Sequence, residues 1–226
     1  EIRDGQVSGV TLAGGETIAA RAVASSLSPR HTFALLDPGV AGADTLRQIN
    51  AIKYRGCTAL IHASLEALPE VAGGLDPADA LRGVVALNPS LDAVERAADA
   101  ARYGEVSAAP LLEASFPSVL DPSLAPAGWH TLVIAFQYAP YARRAGWDTA
   151  QSEALADRAL AALEPALPGL TARVRDRRVL TPADLEARYG LPEGDFNHGA
   201  MMLDQAFFQR PALGLSDYRM PVAGLW

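Results

Sequence analysis

Residues 197–211, NHGAMMLDQAFFQRP, interleave apolar and polar side chains without the spacing that would separate them by face on a helix. Met201, Met202, Phe207 and Phe208 are flexible or flat apolar groups, while His198, Gln205 and Arg210 carry hydrogen-bonding heads. Such a mixture suits the wall of a pocket that grips an apolar ligand by its body and orients it by a few polar groups. Methionine is an adaptable filler for such a wall. Tyr138, in QYAPY, stands where a strand should meet a turn and either faces a ligand or packs and hydrogen-bonds. Structural readings stand beside the chemical ones. His198 also suits a satisfied histidine at a domain seam, Arg210 a partner of Asp204 or of a C-terminal carbonyl, and the methionine pair core. Asp204 is expected to cap a short helix over 205–209.

Other chemistry finds no support in the spacing. His31, His62, His130 and His198 are scattered, with no i, i+4 pair to clip a metal, so no metal site is expected. No G-x-S-x-G elbow occurs, and SFPSV offers serines without a local base. G-x-G-x-x-G and Walker-type loops are absent from the sequence, and the AGG segments at 13–15 and 72–74 read as turns. The single cysteine, Cys57, excludes an internal disulfide framework; it reads as a small buried residue in a reducing, cytoplasmic setting.

The totals narrow the class further. Half of the 226 residues are hydrophobic and 20% are charged, a globular balance. A net charge of -7 attracts neither nucleic acid nor an anionic membrane. No apolar run reaches the roughly 18 residues of a membrane-spanning helix. The first residues, EIRDGQVSGV, do not resemble a signal peptide and include no initiator methionine, so a start inside a longer protein is expected.

The elements that must position these residues follow from periodicity and caps. QVSGVTLAGGETIAA predicts a hairpin turning at Gly14-Gly15, and RAVASSLSP a short buried strand ended by Pro29. DTLRQINAI predicts a helix capped by Asp44. Strands are predicted near 57–65, 84–87, 111–116, 130–137 and 172–180, with RVRDRR as a solvated strand face. A helix capped by Asn88 or Ser90 carries the stripe Leu91, Val94, Ala98, Ala101 and stops at Gly104. Asp148 caps the strongest helix, 149–167, with Gln151 placed as in a capping box and Pro165 at its end. Thr181, Pro182 and Gly190 bracket a last short helix. The predicted fold class is α+β, a mixed and largely antiparallel sheet with helices on one face.

Several segments together resemble one family. DGQVSGVTLAGGETIAARAVASSLSP is similar to the segment preceding the substrate domain of FAD-dependent phytoene-desaturase-like oxidoreductases. SVLDPSLAPAGWHTLVIAFQYAPY and LTPADLEARYGLPEGDFNHGAMMLDQAFFQRP, followed by YRMPVAGLW, resemble the branch of pyridine nucleotide-disulfide oxidoreductase domain-containing proteins. The resemblance implies three parts: residues 1–28 as a piece of an FAD-binding Rossmann-like domain, 29–216 as a substrate-binding domain, and 217–226 as a return into the FAD domain. It implies an oxidoreductase acting on an apolar, isoprenoid- or carotenoid-like substrate by hydride transfer to flavin. His198, Met201, Met202, Gln205, Phe208, Arg210 and Tyr138 are then the substrate-binding candidates, and no catalytic residue is assigned. The family's glycine-rich dinucleotide fingerprint is missing from this sequence, so FAD is expected in the full-length protein and not on this chain alone. The expected partners are an apolar small molecule and the FAD domain, and a homo-oligomer is compatible with the reading. A non-catalytic binding or interaction module is the alternative.

Overall fold

A computed structural model describes residues 1–87 and 90–226, so the cap expected from Asn88 lies outside the described residues. The chain forms two compact units, one of residues 55–195 and one of residues 1–54 with 196–226.

In the unit 55–195, five strands form one antiparallel sheet: β5 (Thr58–Leu65), β6 (Val84–Leu87), β7 (Leu111–Ser115), β8 (His130–Gln137) and β9 (Val174–Leu180), in the order β6-β7-β8-β5-β9. Alternation decides which residues are buried. Ala59, Ile61, Ala63 and Leu65 of β5, Leu112 and Ala114 of β7, and Leu132, Ile134 and Phe136 of β8 are buried in one core. The intervening Leu60, Ser64, Val133 and Ala135 are half-exposed, and His62 and Glu113 are exposed. Helix α7 (Thr149–Leu163) adds Leu155, Ala156, Ala159, Leu160 and Leu163 to the same core. Each of the three leucines, fully buried, contributes about 1.5–3 kcal/mol, enough to anchor α7 on this side of the sheet. Asp148 caps α7 by accepting from the Gln151 N–H at 2.7 Å, but Gln151 Oε1 has no partner, so the capping box is not completed. The α+β class and the antiparallel sheet expected from the sequence are both present.

The remaining helices of this unit are α4 (Pro77–Ala80), α5 (Leu91–Arg102), α6 (Pro117–Leu120), α8 (Leu170–Arg173) and α9 (Pro182–Tyr189). Ser90 caps α5 through the Ala93 N–H, but Leu91 is 81% exposed and Ala97 is the fully buried residue. The expected apolar stripe is therefore rotated. Thr181 and Asp184 form a reciprocal capping box on α9, and Gly190 closes it in the left-handed region at φ 67°. The basic run on β9 is not a solvated face throughout. Arg177 pairs with Glu153 and Asp157 of α7, each at 2.6 Å, and Arg175 pairs with Glu66.

In the unit 1–54/196–226, β1 (Ile2–Arg3) pairs with β2 (Gln6–Val7), and β3 (Gly9–Thr11) pairs with β4 (Thr17–Ala19) across the expected glycine turn. Helices α1 (Pro29–Ala34), α2 (Pro38–Ala41) and α3 (Ala43–Asn50) follow. Phe33, Ala41, Ile49, Ile52, Tyr54 and Ala212 form one buried cluster, and Val7, Val222 and Leu225 a second. Pro29 does not end a strand. It occupies the first turn of α1, and buried Ser28 caps that helix by accepting from the His31 N–H. A proline lacks the donor that an N-terminal turn leaves unpaired anyway, so the helix tolerates it there. The preceding residues are extended, with Val23 and Ser25 donating to Gly224 and Trp226 carbonyls at 2.8 Å. Asp44 does not cap α3; Gly42 holds that position, and Asp44 pairs with Arg47 in the first turn. The compact units divide at Tyr54/Arg55 and Asp195/Phe196. Helices α1–α3 and Ala212 share one apolar cluster, which holds them together.

Candidate functional site

The segment 197–211 does not form the helix expected over 205–209. It folds as two single 3-10 turns, Leu203–Gln205 and Phe207–Gln209, joined by extended residues. Asp204 sits inside the first turn and takes the Lys53 ammonium at 2.7 Å. Gln205 spends both ends of its amide on the backbone: Oε1 accepts from the Lys53 N–H at 2.7 Å, and Nε2 donates to the Lys53 and Ala200 carbonyls, each at 3.0 Å. Arg210 donates to the Gly199 carbonyl at 3.1 Å and to the Asn197 carbonyl. Gly199, at φ 129°, allows the closest approach, since a Cβ there would lie 2.9 Å from Ile52 Cγ2. An irregular loop needs such bonds because its backbone groups have no ladder to join.

These contacts shape a cavity of about 500 Å³ within the unit 1–54/196–226. Its polar edge is made by Ser25, Thr32, His198 and Arg210, and its apolar wall by Phe33, Phe207, Tyr218, Met220 and Trp226. Ser25 and Thr32 hydroxyls lie 2.7 Å apart. The Arg219 guanidinium stands over the Trp226 ring at 5.7 Å. His198 Nδ1 is buried with no hydrogen-bond partner among the described residues. Five non-glycine residues among those described have positive φ, and His198, Phe207 and Tyr218, three of them, line this cavity. Each such residue costs about 1–3 kcal/mol and persists only where surrounding contacts impose it, a pattern concentrated at ligand sites. The arrangement can hold a flat or elongated apolar body and offer it few hydrogen bonds.

Of the sequence candidates, His198 and Arg210 meet at this cavity. Gln205 lines a shallower cleft with Lys53, Asp204 and Gln209. Met201 and Phe208 are 70% and 65% exposed and line neither; Met202 is half-buried. Tyr138 belongs to the other unit, where it lines a separate cavity of about 510 Å³ with Arg55, Cys57, Arg102, Tyr141 and Glu193. Cys57 is half-buried there; burial, and then the Asp195 charge, raise its thiol pKa and favour the protonated form. Tyr141 donates to Glu186 at 2.5 Å, and Glu186 also accepts from the Glu193 N–H at 2.8 Å. That hydrogen bond, then burial and the carboxylates, raise the Tyr141 pKa.

Sequence reasoning missed Ser25, Thr32, Phe33, Tyr218 and Trp226. The only signal was the hydroxyl run in ASSLSP, which reads equally well as a strand. It also left Ser118 of SFPSV without a base, whereas His130 Nδ1 lies 3.2 Å from the Ser118 hydroxyl. Ser118 is buried, its oxygen accepts from the Thr131 N–H at 3.0 Å, and the pair clips α6 to β8. Burial lowers the His130 pKa. Among the described residues no cluster of three His, Cys, Asp or Glu could hold a metal, and no helix is long and apolar enough to cross a membrane.

The fold and cavities define an α+β protein with an antiparallel sheet backed by helices and a largely apolar ligand-sized recess in each unit. The resemblance to phytoene-desaturase-like and pyridine nucleotide-disulfide oxidoreductase domain-containing proteins holds along the chain. It is 37% identical over 233 aligned residues to pyridine nucleotide-disulfide oxidoreductase domain-containing protein 2 of Rattus norvegicus, with 99% of this chain aligned. It is 26% identical over 215 residues, 91% of this chain, to a lycopene-forming phytoene desaturase of Paracoccus. The chain spans about 40% of the length of each of these relatives. An oxidoreductase from Methanosarcina mazei superposes over the whole chain, and over 41% of its own, at 16% identity and a TM-score of 0.47. No family model matches the chain.

Proposed function

We propose that this chain is the substrate-side part of an FAD-dependent oxidoreductase acting on an apolar, isoprenoid- or carotenoid-like substrate, in a cytoplasmic setting. The observation that carries the reading is the 500 Å³ recess lined by Phe33, Phe207, Tyr218, Trp226 and His198, whose buried Nδ1 has no hydrogen-bond partner among the described residues. The likeness to the two curated relatives supports it. In this reading residues 1–28 and 217–226 belong to the flavin-binding part and 29–216 to the substrate-binding part.

The residues present do not fit FAD as a whole. The sequence has no glycine-rich strand-loop-helix to cradle a pyrophosphate, and α1, which opens on the recess, is only six residues long. Residues beyond this chain would have to hold the cofactor, whose chemistry when bound is hydride acceptance. This chain's own part is to take the apolar body among Phe33, Phe207 and Trp226, to exclude water, and to orient one polar edge with His198. Arg210 and Gln205 act through the loop they clamp, Met201, Met202 and Phe208 form its rim, and Tyr138 serves the cavity of its own unit.

The test is anaerobic reduction of the full-length flavoprotein by an apolar polyene, with flavin content measured in parallel. His198→Ala should slow reduction while leaving flavin content unchanged. Reduction at the parental rate would remove His198 from the site. A second reading, a non-catalytic interaction module, is favoured by the exposure of Leu203 and Phe207, 91% and 85%. Such apolar surface seeks cover from another domain or a second copy. A full-length protein purified without flavin, and not reconstituted by added FAD, would establish that reading instead.

A further inference from the structure

We propose that a cleft in the unit 55–195, beside the first turns of α7, binds a small carboxylate with a flat apolar body. The cleft holds about 390 Å³ and is lined by Val106, Arg143, Trp147, Asp148, Ala150, Gln151, Ala154, Leu155 and Arg158. That volume exceeds what a bare inorganic anion needs and suits a single ring with a substituent.

Arg143 and Arg158 both line this cleft, and neither has a carboxylate partner among the described residues. Arg143 lies over the Trp147 ring at 4.9 Å, and its Nη1 donates to the Gly146 carbonyl at 2.8 Å. Arg158 Nη1 donates to the Ser107 carbonyl at 2.7 Å. The Trp147 indole N–H is tied to the Pro140 carbonyl at 3.1 Å, which holds the platform under Arg143. Each arginine is thus oriented by a backbone carbonyl while its remaining donors and its charge stay unspent. A guanidinium already held in place loses less freedom on binding, and its planar fork matches a carboxylate. Asp148 is the one acid in the lining, and it is engaged in capping α7. Two positive charges therefore outweigh one negative in a chain of net charge -7. Arg143 Nε and Gln151 Oε1 are buried in the same wall without partners, so its hydrogen bonding is not optimal in the free chain. Val106, Trp147, Ala154 and Leu155 supply the apolar part of the lining.

The proposal is independent of the flavin reading and is tested without any flavin readout. Benzoate, benzamide and inorganic phosphate are titrated into the full-length protein and followed by calorimetry and by ligand-observed NMR. Benzoate should bind at least about tenfold more tightly than its neutral isostere benzamide, and phosphate more weakly than benzoate. Arg158→Gln keeps a donor for the Ser107 carbonyl and removes the charge, so it should fold and weaken benzoate about tenfold. Arg143→Lys keeps the charge and loses the fork, and should weaken benzoate by a smaller factor. Equal affinity for benzamide, tighter binding of phosphate, an unchanged Arg158→Gln, or no binding of benzoate would each overturn the proposal.

Discussion

Replacing Gly56 by alanine tests whether the junction between β5 and the 190–195 turn is as tight as its geometry indicates. A Cβ on Gly56 would stand 1.9 Å from the Glu193 carbonyl oxygen and 2.9 Å from the carbonyl carbons of Glu193 and Gly194. Ordinary contact begins near 3.4 Å, so one backbone segment must retreat by roughly 1.5 Å. Neither is free to do so. The Gly56 carbonyl accepts from the Tyr141 N–H at 2.8 Å, and the next carbonyl, of Cys57, accepts from the Ala139 N–H at 2.7 Å. On the other side, Glu193 is pinned through its N–H to Glu186, and Asp195 accepts from the Arg55 N–H at 3.2 Å. Overpacking of this kind costs about 1–3 kcal/mol. Losing one or two of these hydrogen bonds adds about 1 kcal/mol each. The total is about 3 kcal/mol, which for a chain of this size lowers Tm by about 6–12 °C. Thermal unfolding followed by circular dichroism at fixed protein concentration measures it. A Gly56→Ala protein melting within about 2 °C of the parent would show that the turn moves freely and that the tight junction is not a constraint.

Arg177→Met should lower stability by about 1 kcal/mol, a modest figure because Glu153 and Asp157 are 44% and 68% exposed and water screens them; the loss should shrink in high salt, and a salt-independent loss would point to packing instead. Tyr141 has its pKa raised because the neutral hydroxyl donates to Glu186. Its folded pKa therefore exceeds its unfolded value, so its contribution is fully present below about pH 10 and is lost as pH rises through the folded pKa. Tyr141→Phe should remove that alkaline loss from the stability profile, and an unchanged profile in urea titrations would refute the assignment. Gln205→Leu breaks three hydrogen bonds to Lys53 and Ala200 and should cost about 1–2 kcal/mol, read as a shift in the urea midpoint.

The sequence by itself determined what depends on neighbours along the chain. Period-two alternation marked four of the five strands of the sheet, because successive side chains of a strand must face opposite sides whatever lies beyond them. Ser90, Asp148 and Thr181 were legible as caps for a similar reason: a side-chain oxygen reaches the N–H three residues on without outside help. Local rules failed where a distant partner decided. The extended residues before Ser28 gain their partners from 224–226, and Pro29 could as well end a strand as begin a helix until those partners are known. Only the tertiary structure turned Gln205 onto Lys53, 152 positions away, and placed Phe207 but not Phe208 in the lining of the recess. Alternation between wall and rim in an irregular loop has no period, so composition marks the loop as unusual while its long-range hydrogen bonds fix which residues line the recess. The same holds for Arg143 and Arg158. In the sequence they are two of nineteen basic residues, and they become a shared feature only because a turn and a helix bring both to one cleft.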